Sequence, residues 1–133
     1  MANIIKLKSI PSSDGVLSVF EHLMPGHIER VYFIYGVPND SIRGGHRHHS
    51  TWQGLVCLKG SCKIYVQDGE SENFHFLNSP DTCLLLKPTD WHQMFEFSQD
   101  CILLVLANKN YDPEDYIDEP YFEHNVLKIQ KSI

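Results

Sequence analysis

The chain has 133 residues, 42% of them apolar and 21% charged, and a formal net charge of −6. That composition suits one globular domain, residues 1–133, able to bury a core without disulfides or a structural metal. The acidic balance argues against wholesale binding to nucleic acid or an anionic membrane surface.

Taken in chain order, the elements are short and separated by turn residues. "IIKLKSI" alternates as an edge strand does and would need a pairing partner. "GVLSVFEHL" ends at the breaker "MPG", and "IERVYFIYGV" ends at "PND". "GLVCLKGSCKIYV" breaks at "KGS"; after the turn "QDGE" comes "NFHFL", then the turn "NSPD". "TCLLLKP", "WHQMFEF" and "CILLVLAN" complete the series. Short strands punctuated by Gly, Pro, Asn and Asp predict an antiparallel sandwich or barrel. "CLLLK" and "ILLVLA" are continuously apolar, as strands buried on both faces are. In "YDPEDYIDEPYFEH", Asp112 and Pro113 fit an N-cap and a first helical position, with Glu114 and Asp115 favourable to the helix dipole. A short helical turn is predicted there, limited by Pro120, and "NVLKIQKSI" is an extension with no assigned state.

No apolar run approaches the roughly 20 residues that span a bilayer. The opening "MANIIKLKSIPSSDG" lacks the apolar core of a secretory signal, so the cytoplasm is the expected compartment. The four cysteines form no CxxC pair, and each sits in an apolar stretch where a free thiol behaves as a small hydrophobe.

The densest chemistry lies in "RGGHRHHSTWQG", residues 43–54, with three histidines and two of the chain's three arginines. If residues 45–49 are extended, His46 and His48 share one face while Arg47 and His49 share the other. The spacing from His46 through His48 and Gln53 to Gly60 resembles the first cupin motif. "KPTDWHQMF", a proline turn followed by His92 at the head of a strand, resembles the second. Together they imply an all-β cupin-type double-stranded β-helix, a jelly-roll barrel, with a short C-terminal helical segment. Three imidazoles can hold a divalent metal, but the fourth position is the neutral amide of Gln53, a poorer ligand than a carboxylate. His92 can equally serve as a hydrogen-bonded residue inside the barrel.

Arg30, Arg43 and Arg47 fall within 18 residues of one another beside these histidines. Guanidinium forks match phosphate oxygens, so the cluster points to a phosphorylated small ligand. In "RVYFIY" alternation puts Arg30, Tyr32 and Ile34 on one face and Val31, Phe33 and Tyr35 on the other.

"ERVYFIYGVPNDSIRGGHRHHSTWQGLVCLKGSCKIYV" and "LKPTDWHQMFEFSQDCILLVLANKNYDPEDYI" together resemble the dTDP-4-dehydro-6-deoxyglucose 3,4-ketoisomerases. These are small cupins that move the ketone of a dTDP-linked keto-deoxy sugar from C4 to C3, supplying 3-amino sugars for bacterial surface glycans. The resemblance rests on RVY, RG-x-H-x-H, Q-x-L-x-C-L-x-G-S, P-x-x-WH-x-M and VLA-x-x-x-YD-x-x-DYI. It implies His46, His48 and Tyr32 as catalytic residues, and Arg30, Arg43, Gln53, Trp91 and His92 as substrate-binding residues. It further implies no metal, no cofactor, and a homodimer in which N-terminal strands are exchanged. Departures from the family pattern are Gly45, where a large residue is common; Arg47, where a small one is; and His49 with Ser50 in place of a lysine pair. Rival readings are a metal-dependent cupin enzyme, a non-catalytic sugar-nucleotide sensor and a 3,5-epimerase.

Overall fold

The structure is a computed structural model that describes residues 1–128. The end of "NVLKIQKSI" therefore lies outside the described residues. Twelve strands occupy about half of the described residues: β1 (Asn3–Lys6), β2 (Lys8–Ser12), β3 (Gly15–Val19), β4 (Arg30–Tyr35), β5 (Arg43–His48), β6 (Gln53–Lys59), β7 (Cys62–Gln67), β8 (Glu72–Leu77), β9 (Thr82–Leu86), β10 (Trp91–Phe95), β11 (Ile102–Ala107) and β12 (Tyr116–Ile117). They form two antiparallel five-stranded sheets, in the orders β1-β9-β6-β11-β4 and β12-β5-β10-β7-β8, and a separate hairpin β2-β3. From β4 to β11 the chain passes back and forth between the two sheets, with one hairpin step from β7 to β8. This is the double-stranded β-helix that the motifs imply. No helix among the described residues is long and apolar enough to cross a membrane.

The apolar runs behave as their composition dictates. Leu55, Cys57, Ile64, Val66, Leu84, Leu86, Met94, Leu103 and Val105 point between the sheets and form the main core. The other side of the first sheet is covered too: Val56 and Cys83 pack with Leu7 in a second cluster against Phe20, Leu23 and Leu104. That N-terminal cover is why β9 and β11 carry no polar face. In β4 the alternation is clean, with Tyr32 and Ile34 packed on the core and Val31, Phe33 and Tyr35 at least 55% exposed.

"IIKLKSI" is not one strand. It divides at the buried Leu7 into β1, whose partner is β9 of the same chain, and β2, which pairs with β3. Pro11 is tolerated because that hairpin is only two strands wide and leaves edge positions without ladder partners. The expected helical turn is a single turn of 3₁₀ helix, Pro113–Asp115, whose N-cap Asp112 accepts from the Glu114 amide.

The C-terminal segment then crosses the outer face of the second sheet. Buried Gln67 makes four hydrogen bonds: its Oε1 accepts from the Tyr121 and Phe122 amides at 2.8 and 3.1 Å, and its Nε2 donates to Phe122 O at 2.9 Å and Tyr65 Oη at 3.1 Å. Gln93 repeats the device with Leu127, accepting from N at 2.8 Å and donating to O at 3.0 Å. Each amide side chain stands in for a neighbouring strand, so this face of the sheet is closed without further β-structure.

Candidate active site

The two sheets meet a set of polar side chains at one end of the barrel. β5 supplies His46 and His48, and β10 supplies His92, which lies directly opposite His46 in the ladder. The pairing shifts by one residue after that point, so that Gln93 faces Gly44 and Met94 faces Arg43. Gly45 is the extra residue, a β-bulge. Gly44 and Gly45 adopt φ of +80° and +83°, and a Cβ on Gly44 would meet His92 O at 3.0 Å. Only glycine takes this backbone without strain. The bulge resets the alternation, so Arg43 falls on the same side of the sheet as His46, with an exposed side chain.

The three imidazoles converge. Ring centroids of His46 and His48 are 5.1 Å apart, and those of His46 and His92 are 5.0 Å apart. Tyr116 joins them from β12, where it pairs opposite His48; its ring lies 4.6 Å from His46 and 4.7 Å from His48. From the facing sheet come Arg30 and Tyr32 on β4 and Gln53 at the head of β6. Gln53 Nε2 donates to Tyr32 Oη at 3.0 Å. The Arg30 guanidinium lies 4.5 Å from the Tyr32 ring centroid and donates to Tyr116 Oη of the other sheet at 3.4 Å. That one contact ties the two sheets together over the imidazoles.

Tyr116 is the member that the sequence-derived site set omits. Its signal was present, since it stands in the DYI of the last shared motif, but a two-residue strand after a single 3₁₀ turn has no periodicity to reveal which way it faces.

Burial sets the protonation states. It lowers the pKa of His46, an effect only partly offset by Asp118. His48 is brought down to about 4 by burial and then by His46, with Asp115 opposing. His92, 1% exposed, is brought to about 3 by burial and by His46. All three are therefore neutral near pH 7 and available as proton acceptors. Tyr32 is shifted the other way: burial raises its pKa and Arg30 pulls it partly back, so it holds its proton. Asp115 does not enter the cluster, because its carboxylate is occupied by the Ser50 amide and hydroxyl and by Thr51 Oγ1.

Two polar atoms at the centre are buried and unpartnered: Gln53 Oε1 and His92 Nε2. Such atoms cost roughly 1–3 kcal/mol each when left unmade, so they mark where a ligand's polar groups gain most. The His92 ring is held from the other side by Nδ1 at 3.2 Å from Asp90 O.

Two expectations fail to meet here. Trp91 is buried, but it neighbours His92 on a strand and so faces the opposite side; its indole N–H donates to Asp118 O at 2.9 Å and holds the C-terminal segment. Arg47 likewise turns away, with its guanidinium 4.2 Å from the Tyr121 ring centroid and Nε donating to Glu119 O. The three arginines are thus not one phosphate cradle; Arg30 and Arg43 remain on the side of the cluster.

The donor set does not fit a cupin metal. Among the described residues, the His, Cys, Asp or Glu trio whose donor atoms all lie within 4.8 Å of one another is Cys57, Cys62 and Cys101, not the histidines. The fourth cupin position is Gln53, whose Nε2 donates to Tyr32 and whose Oε1, a neutral amide oxygen, is a poorer ligand for a cation than a carboxylate.

Residues 1–126 match the family model described as "FdtA: WxcM-like, C-terminal". A TDP-4-oxo-6-deoxy-alpha-D-glucose-3,4-oxoisomerase of Aneurinibacillus thermoaerophilus is 40% identical over 129 residues, 95% of this chain and 93% of that protein. Among solved structures, the sugar 3,4-ketoisomerase QdtA from Thermoanaerobacterium thermosaccharolyticum in complex with TDP is 40% identical, with a TM-score of 0.83 over 89% of this chain and 88% of its own. The TDP-fucose-3,4-ketoisomerase WlaRA from Campylobacter jejuni is 38% identical, with a TM-score of 0.83 over 89% of each chain.

Proposed function

We propose, from the premise that the chain belongs to the FdtA, WxcM-like C-terminal family, that it is a sugar-nucleotide 3,4-ketoisomerase acting on a TDP-4-keto-6-deoxyhexose. The observation that carries the reading is the pair of adjacent imidazoles, His46 and His48 on β5, gathered with Tyr116 and with Arg30, which lies over the Tyr32 ring and reaches Tyr116 from the other sheet.

The reaction needs no redox partner. In the substrate C4 is a ketone and C3 bears a hydroxyl and an acidic hydrogen. His46 takes the C3 proton; the electron pair forms the C3–C4 double bond, and the former ketone oxygen accepts a proton to give an enediol. The C3 hydroxyl then gives up its proton as the ketone forms at C3, and C4 receives a proton. His48, in ring contact with His46, moves protons between the two oxygens. Tyr32, which keeps its proton, donates to the enediolate oxygen. Arg30 and Arg43 bind the diphosphate. Gln53 Oε1 and His92 Nε2, both lacking partners, take sugar hydroxyls. Tyr116 closes over the two histidines and holds Arg30 in place. Trp91 acts from behind the sheet as a positioning residue for the C-terminal segment that carries the chain on from Tyr116.

The product's 3-ketone is the group that a transaminase consumes, which supports a role in 3-amino-3,6-dideoxy sugar biosynthesis for bacterial surface glycans. The chain acts as a homodimer. Support comes from the apolar stripe Val31, Phe33 and Tyr35 on the exposed face of edge strand β4, and from the N-terminal position of β1, whose ladder with β9 is of the kind that two copies can exchange.

The test is product trapping. Incubation with TDP-4-keto-6-deoxyglucose followed by borodeuteride reduction puts deuterium at C3 in the enzyme-treated sample if the ketone has moved, and at C4 alone if it has not.

A further inference from the structure

We propose that Cys57, Cys62 and Cys101 form a second site in this protein, a buried three-thiol pocket that takes a thiophilic divalent cation. The three sulfurs come from separate places in the chain: late β6, the first residue of β7, and the residue before β11. All are at most 2% exposed. Their Sγ atoms lie within 4.8 Å of one another, with Cys57 and Cys101 3.8 Å apart. With zinc–sulfur bonds of about 2.3 Å, three sulfurs around one ion stand at the corners of a triangle about 4.0 Å on a side. The pocket already has that size.

Its surroundings select the ion. Phe97, Ile64 and Leu103 belong to the same apolar cluster, and the adjacent Asp100 carboxylate is engaged by Ser98 Oγ at 2.8 Å. A dry, sulfur-only site suits soft ions over magnesium or calcium. Each sulfur that ligates the ion does so as a thiolate, its proton passing to solvent. Access is short. Cys57 Sγ lies 3.2 and 3.4 Å from the carbonyls of Lys59 and Gly60 in the β6–β7 turn, at the far end of the barrel from the histidines. Occupancy would pin β6, β7 and β11 together where the barrel is closed, without touching the imidazoles.

Cadmium is the probe, because thiolate-to-cadmium charge transfer absorbs in the ultraviolet whereas cadmium on imidazole does not. The wild-type protein should show one equivalent of this absorbance. It should be lost in Cys57→Ala and in Cys101→Ala and kept in Cys83→Ala, with folding of each checked by circular dichroism. Cadmium should also protect Cys57, Cys62 and Cys101, but not Cys83, from alkylation of the wild-type chain mapped by mass spectrometry, a measurement that needs no variant. Absence of the band in reduced protein, its survival in both cluster variants, or equal labelling of all four cysteines would overturn the proposal.

Discussion

His46 and His48 stand two residues apart on one face of β5 with ring centroids 5.1 Å apart and planes at 77°, while the Tyr116 ring covers both. The edge-to-face arrangement leaves each imidazole a separate line of approach to a bound sugar, so one can act on carbon while the other serves oxygen.

Replacing either histidine should therefore stop chemistry without stopping binding. His46→Asn and His48→Asn are each expected to lower kcat by about 100-fold or more, the range for losing a positioned acid or base. TDP affinity, measured by calorimetry, should change little. Near wild-type turnover in both variants would remove the pair from the mechanism.

The pH profile follows from the direction of the shifts. A base must be unprotonated, and burial lowers both His46 and His48, the latter to about 4. Activity is present above the folded-state pKa and lost as pH falls through it. The acidic limb of kcat/KM should thus lie below 6.5, the ordinary histidine value. A limb at or above 6.5 would mean that the reacting imidazole is not buried as described.

The same shifts govern stability. Imidazoles whose pKa is depressed in the folded state, His46, His48, His75 and His92, leave the unfolded chain binding more protons below pH 6.5. Stability should fall as pH drops from there toward 4. Asp90, raised by burial, works in the opposite sense but is a single group. His92→Asn should flatten this slope in urea unfolding measured across the window; an unchanged slope would show that His92 does not carry it.

Tyr32→Phe removes the acceptor of the Gln53 amide along with the proton donor for the enediolate. Turnover should fall about 10- to 100-fold, with a stability loss of about 1–3 kcal/mol for the unpaired amide. Loss of stability with full activity would make the hydroxyl purely structural.

Gln67→Ala strips the partners from Tyr121 N, Phe122 N and Phe122 O at once. The C-terminal segment should loosen, and limited proteolysis should cut near residues 119–124 faster than in wild type. Unchanged cleavage would mean that Arg47 on Tyr121 and Trp91 on Asp118 suffice to hold it.

The strands were legible because their boundaries are set by turn residues and their faces by alternation: Val31, Phe33 and Tyr35 are outside and Tyr32 inside, as the pattern requires. His46 and His48 followed from the same rule. Trp91, a substrate-binding residue on the resemblance alone, neighbours His92 on β10 and so faces the other side of the sheet. The division of "IIKLKSI" at Leu7 depends on which side chain the rest of the fold buries. Gly44 and Gly45 announced a special backbone without saying that it would carry Arg43 over to the histidine side. Arg47 faces away from the histidines as alternation requires, but its partner Glu119, like the placing of Tyr116 and the meeting of Cys57 with Cys101, depends on contacts between distant parts of the chain that no local pattern encodes.

Solvent exchange tests the central claim most directly. With TDP-4-keto-6-deoxyglucose in deuterated water, followed by NMR, the wild-type enzyme should place deuterium at C3 of recovered substrate and at C4 of product while leaving C5 protonated, and His46→Asn should do neither. Tight binding of the nucleotide sugar with no exchange at either carbon would contradict the account, and added exchange at C5 would point to an epimerase instead.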